Sequence, residues 1–248
     1  MINAPFNLFV SPWITREKVS FAKKTTSKNI LRSEVPQEEL SYIEGLDRSL
    51  ALYEFMPFTI IQEDTQILAD TIQTQYTAVW LDPNDETYAA SMHTYSKRGG
   101  ALVYGERMFL FGTEFSSDEG IMTSNGITPN LPGDSNNPDC HVQIPATKDI
   151  ELLHCIHMVR LKNEKRKPIN VRAKLLDPEE FDRSRLAVFE RKLNLGMVYF
   201  HEQTNVFRLT LKGAFVMTWM LSWPLENFLQ WRMRRRAERL MNELRINE

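Results

Sequence analysis

The chain has 248 residues, 42% of them hydrophobic and 25% charged, with a formal net charge of −2 and two cysteines. That is enough apolar material to close a core without disulfides or metal, and too much for a disordered chain. The near-neutral balance argues against a general nucleic-acid binder, and Cys140 and Cys155 alone make no disulfide framework.

The opening stretch MINAPFNLFVSPWITREKVS has no basic region ahead of a long apolar one, so it does not read as a signal peptide. With the cysteine usage this predicts an intracellular, cytoplasmic, reducing setting. Residues 1 to 35 contain Pro5, Pro12 and scattered Ser and Thr without a sustained period. They are predicted to form an irregular arm whose apolar anchors Phe6, Leu8, Phe9 and Trp13 pack on the body. Pro36 followed by Gln37, Glu38 and Glu39 reads as a helix start, because proline suits the first turn and acids favour its positive end. Leu40, Ile43, Leu46 and Leu50 then share one helical face. Pro57 ends that helix, and Phe58 to Ile61 reads as a short buried strand.

From Thr77 the period changes to two. TAVWLD, ETYAASMHTY, ALVYGERMFLFGTEF and GIMTSN are strand-like runs. Asp82-Pro83-Asn84-Asp85, Lys97-Arg98-Gly99-Gly100 and Ser116 to Gly120 separate them with turn chemistry. Short spacers without helices predict an antiparallel meander of four strands or more. Residues 125 to 147, with four prolines and two glycines, predict a long loop. Thr147 or Asp149 caps a predicted helix to Leu161, with Leu152, Leu153, Ile156 and Val159 on its apolar face. A basic linker, Lys162 to Lys174, leads to a second helix, Pro178 to Leu195, capped by Asp177 and stopped by Gly196. MVYFHE and VFRLTL then read as a hairpin.

The fold class is therefore α+β: an antiparallel β-meander packed by helices, with a β-hairpin followed by a long kinked C-terminal helical segment. It divides into an irregular arm (1–35), an α+β body (36–212) and a C-terminal aromatic and arginine-rich helical segment (213–248), together one domain.

The C-terminal segment is the most unusual part. Leu209 to Leu244 holds Trp219, Trp223 and Trp231, three of the five tryptophans. From Arg232 to Glu248 six arginines face three glutamates, giving +3 against −5 for the remainder. The uncharged run Gly213 to Leu225 is only 13 residues, below the roughly 20 that a membrane span needs. Pro224 predicts a kink or a new helix, which Ser222 could cap. In that second helix Met233, Ala237, Leu240, Met241 and Leu244 share a face, with the arginines mainly on the other side. Aromatics beside arginines are the composition of a helix lying in a membrane interface. An apolar helical face is also the ordinary mark of core packing, which would leave only a solvated basic end.

Cys140, His141, His154, Cys155 and His157 offer zinc-type ligands, but the spacing matches no standard site, and no metal and no cofactor are assigned. Residues 178 to 216, helix, hairpin and LTLKGA, are similar to the wing region of winged-helix domains. That resemblance implies a recognition helix, yet Glu179, Glu180, Asp182 and Glu190 repel phosphate, so nucleic acid is not assigned as a partner. GxGxxG, P-loop, GxSxG and HExxH signatures are all missing. Asp134, Asp139 and His141 are the acid/base candidates of an enzyme alternative built on the 125–147 loop.

The resulting expectation is a non-catalytic binding or assembly protein at the inner face of a membrane. Its surface would comprise Phe215, Trp219, Trp223, Phe228, Trp231, Arg232, Arg234, Arg235, Arg236 and Arg239. The alternative is a soluble subunit offering the same surface to a protein partner.

Overall fold

A computed structural model describes residues 11–18, 20–22, 26–68, 71–98, 101–116, 119–126, 132–134, 140–144, 147–220 and 225–246. Its centre is a seven-stranded sheet: β2 (Thr26–Ile30), β3 (Met56–Leu68), β4 (Thr71–Leu81), β5 (Thr87–Arg98), β6 (Ala101–Ser116), β7 (Glu119–Ser124) and β8 (His141–Gln143). Spatial order follows chain order. Every neighbouring pair is antiparallel except β8, which runs parallel to β7 with Met122 opposite His141. The turn chemistry explains the meander. At β4–β5 the Asp82 carboxylate accepts from the Glu86 and Thr87 amides at 2.8 and 2.9 Å, and Asp85 takes a positive φ.

The strands reach further than their apolar alternation. The predicted strand Phe58 to Ile61 is the start of a 13-residue β3, and β4 begins at Thr71 rather than Thr77. The extra length is largely polar in sequence and is laced by side-chain bonds. Gln75 donates to Glu63 (3.0 Å), Thr74 to Asp64 (2.7 Å) and Gln62 to Asp64 (2.8 Å). Cross-strand pairs of this kind stabilise a sheet without hydrophobic patterning.

One face of the sheet carries α2 (Gln37–Ala51), α3 (Ile150–Lys162) and part of α7 (Leu225–Ile246). Ile43, Leu46 and Leu50 of α2 and Leu153 and Ile156 of α3 pack with Trp80, Phe109 and Phe111, and α7 adds Ala237, Leu240 and Met241. Asp149 caps α3 by accepting from the Leu152 amide at 3.1 Å. The opposite face is covered by Ile169, Val171 and Leu175 over Ile61, Val79, Ala90 and Leu110. Part of the expected basic linker is thus a sheet cover, and its end forms a short helix, α4 (Arg172–Leu176).

A second, three-stranded sheet has the order β1 (Ser20–Ala22), β10 (Val206–Leu209), β9 (Val198–His201), all antiparallel. It packs with α5 (Pro178–Asn194) and α6 (Leu211–Met220), and Phe189 stacks on Phe207 at 4.5 Å. Asp177 caps α5 through the Glu179 amide at 2.9 Å. The predicted hairpin β9–β10 therefore gains a third strand from β1. α1 (Ser11–Lys18) packs on α6.

The irregular arm expected for residues 1 to 35 is corrected: its described part contains α1, β1, β2 and a 3₁₀ turn at Arg32–Glu34. Short polar segments such as β2 have no period of their own and are ordered by a partner strand, here β3. The packing also crosses the expected boundary at residue 213, because α6 joins the small sheet while α7 closes the main core. Ser222, Trp223 and Pro224, where the kink was expected, lie outside the described residues.

Gly213 tests the junction between α6 and the small sheet. A Cβ there would fall on the Met197 carbonyl oxygen. Alanine should add about 1 kcal/mol by helix propensity. The clash is with backbone, however, and Gly213→Ala is expected to destabilise by about 1–3 kcal/mol net. Urea unfolding followed by circular dichroism measures the sign.

Candidate functional site

The ten expected surface residues separate according to helix geometry. In α7 the 3.6-residue period puts Ala237, Leu240 and Met241 on the side that enters the core. This stripe takes the core-packing role that an apolar helical face also allowed, joining the main hydrophobic core. The other side carries Phe228 (50% exposed) and Trp231 (52%), followed by exposed Arg232, Arg235 and Arg239. Arg234 is also exposed and Arg236 is half-buried. Phe228 and Trp231 stack with centroids 5.8 Å apart, and the Arg235 guanidinium lies 5.3 Å from the Trp231 ring centre.

In α6, Gly213, Ala214 and Thr218 are buried. Trp219 is 47% exposed and touches half-buried Phe215, one turn earlier, at 6.1 Å. Trp223 lies outside the described residues. A further group escaped sequence reasoning: on α1, Trp13 (53% exposed), expected to anchor inward, projects outward instead beside exposed Ile14. Pro12 is buried, and Thr218 of α6 donates to Thr15 at 3.1 Å. Eight residues with two apolar ones side by side carry no face signal, so only the docked helix shows which side is free.

A second feature had no sequence signal. Glu39, read as an acid favouring the helix start, turns inward and is 1% exposed. Its Oε2 accepts from Tyr95 OH (2.8 Å) and Arg107 Nη2 (3.1 Å) and lies 2.6 Å from His93 Nδ1. Arg107 also lies over the Tyr42 ring at 4.4 Å. Burial, and then the Glu39 carboxylate, pushes the Tyr95 hydroxyl pKa upward, keeping it a donor. A charge taken from water needs such donors, and α2 is thereby tied to β5 and β6.

The candidate metal and acid/base groups are dispersed among separate partners. His154 packs on Tyr53 at 4.6 Å. His157 sits between the hydroxyls of Thr113 (3.0 Å) and Thr123 (3.1 Å). His141 Nε2 meets Ser124 Oγ at 2.7 Å, and Asp134 pairs with Lys192 at 2.6 Å. Asp139 lies outside the described residues. Among the described residues no group of three or more His, Cys, Asp or Glu is placed to hold a metal ion. A groove of about 420 Å³ lies at the β2–β3 edge over Ile60, Val79 and Trp80, and no described residue of the 125–147 segment lines it.

Burial, then Arg160, pushes His157 down to about 3 and His141 down to about 4. Both are neutral in the folded chain but take a proton in the unfolded chain below about 6.5. Their stabilisation is complete above that pH and is lost as pH falls from there toward the depressed values. Each should contribute a slope of about 1.4 kcal/mol per pH unit in that window. His157→Gln should remove its share, as read from urea midpoints compared between neutral and mildly acidic buffer. Glu39→Gln leaves buried partners without their anion and should cost on the order of 3 kcal/mol. Thermal unfolding checks it, and a loss below about 1 kcal/mol would show a screened, dispensable pair.

No described helix is long and apolar enough to cross a membrane. No family model matches the sequence, and neither a curated protein nor a solved structure matches the chain.

Proposed function

We propose that the chain is a non-catalytic binding protein that docks peripherally on an anionic membrane surface. The observation that carries this reading is the placement of exposed aromatics beside unburied arginines on the outer side of α6 and α7. Large aromatics in water are costly, and clustered ones mark a surface that meets something. Tryptophan and arginine together suit the headgroup boundary, where a ring sits half in hydrocarbon and a guanidinium meets phosphate. Arg232, Arg234, Arg235 and Arg239 are exposed, with Glu238 among them. At about 1 kcal/mol per basic residue, the arginines supply several kcal/mol of attraction at low salt. That is marginal alone, and the aromatic rings provide the second signal that stable anchoring requires. The anionic cytoplasmic leaflet is the natural target.

Co-sedimentation with vesicles tests the proposal. The chain is expected to bind phosphatidylglycerol-containing vesicles and not pure phosphatidylcholine, and to lose binding as salt screens the charges. Arg232→Glu, Arg235→Glu and Arg239→Glu together should weaken binding by about a hundredfold or more. Failure to bind either vesicle would overturn the proposal, and concentration-dependent self-association in free solution would point to a protein interface instead.

A further inference from the structure

We propose that the membrane is met by a tip made of three helix segments, one of them from the opposite end of the chain. This inference rests on the membrane reading and specifies its geometry. The exposed aromatic rings Trp13, Trp219, Phe228 and Trp231 lie on α1, α6 and α7. Within those helices the rings occupy particular places. Trp219 is the penultimate residue of α6, and Phe228 and Trp231 fall in the first two turns of α7. Trp13 and Ile14 are early in α1, and the Thr15–Thr218 bond pins that part of α1 beside the C-terminal end of α6. α6 in turn contacts α7. The rings therefore gather where α6 ends and α7 begins, while Arg232, Arg235 and Arg239 extend away along α7.

Phe228 and Arg239 are separated by about 16 Å along the helix axis, from the rise per residue. An α7 lying flat would place aromatics and arginines at equal depth. With α7 oblique, Phe228 and Trp231 enter first, Arg232 and Arg235 beside Trp231 meet the phosphate layer, and Arg239 follows it further along the helix. The inner stripe of α7 stays in the core throughout, so docking needs no unfolding. Trp13 and Ile14 bear no charge. α1 thus contributes insertion, and the arginines contribute the salt dependence.

The experiment reads Trp13 directly. A variant with Trp219→Phe, Trp223→Phe and Trp231→Phe keeps only Trp13 and the fully buried Trp80. On phosphatidylglycerol/phosphatidylcholine vesicles its emission should shift to the blue and be quenched by lipids brominated on the acyl chain. In the otherwise unmodified chain, Trp13→Ala should weaken partitioning by about tenfold with an unchanged salt slope. The arginine reversals should lower that slope. An unquenched Trp13, or Trp13→Ala binding as tightly as the unmodified chain, would overturn the three-helix tip while leaving the membrane reading intact. Absence of binding by the unmodified chain would remove both. Circular dichroism of each variant confirms that lost binding is not lost folding.

Discussion

The Glu39 carboxylate, held by His93, Tyr95 and Arg107, marks the border between two halves of the large sheet. On one side of it the face is dry, with Ile43, Trp80, Phe109 and Phe111 beneath α2 and α3. On the other side the strands run on as a polar ribbon of Gln62, Asp64, Thr74 and Gln75. A buried carboxylate tolerates only the place where its donors converge, so it sets where the first turn of α2 can rest. From that point the helix lays Ile43, Leu46 and Leu50 onto the sheet. The Trp80 indole reaches Asp47 of the same helix at 2.7 Å, a second polar tie that fixes the helix against sliding.

The same economy governs α7. One stripe completes the main core and the other stays in water, so a single helix links the stability of the body to the exposed surface. Half-exposed rings on a rigid, packed helix lose little entropy on meeting a partner, because their backbone is already ordered. Arg235 over Trp231 holds ring and charge together before any encounter. α1 plays a comparable part from the other end, since its contact with α6 is what orients Trp13.

The histidines of α3 illustrate how a suggestive ligand set can be consumed by structure. His154 and His157 are three apart on α3, which put metal chemistry in view. Yet the helix delivers one to an aromatic contact and the other to two threonines. Each side chain already has a partner of ordinary chemistry. His157 neutral and bridging Thr113 and Thr123 joins α3 to β6 and β7 as firmly as an apolar contact would.

Local sequence determined the α+β class, the turn at Asp82, the caps at Asp149 and Asp177, and the order of the central strands, because each depends on neighbours only a few residues away. It also determined that aromatics and arginines would be concentrated near the C-terminus. Tertiary structure alone decided which of them face water. A helix period shows that Ala237 and Leu240 lie opposite Arg232 and Arg235, but not whether a sheet or a membrane covers the apolar side. It likewise decided the inward turn of Glu39, the strand status of the largely polar run 62–68, and the outward Trp13. Each of these rests on a contact between residues far apart in the chain, and periodicity carries no information about such partners.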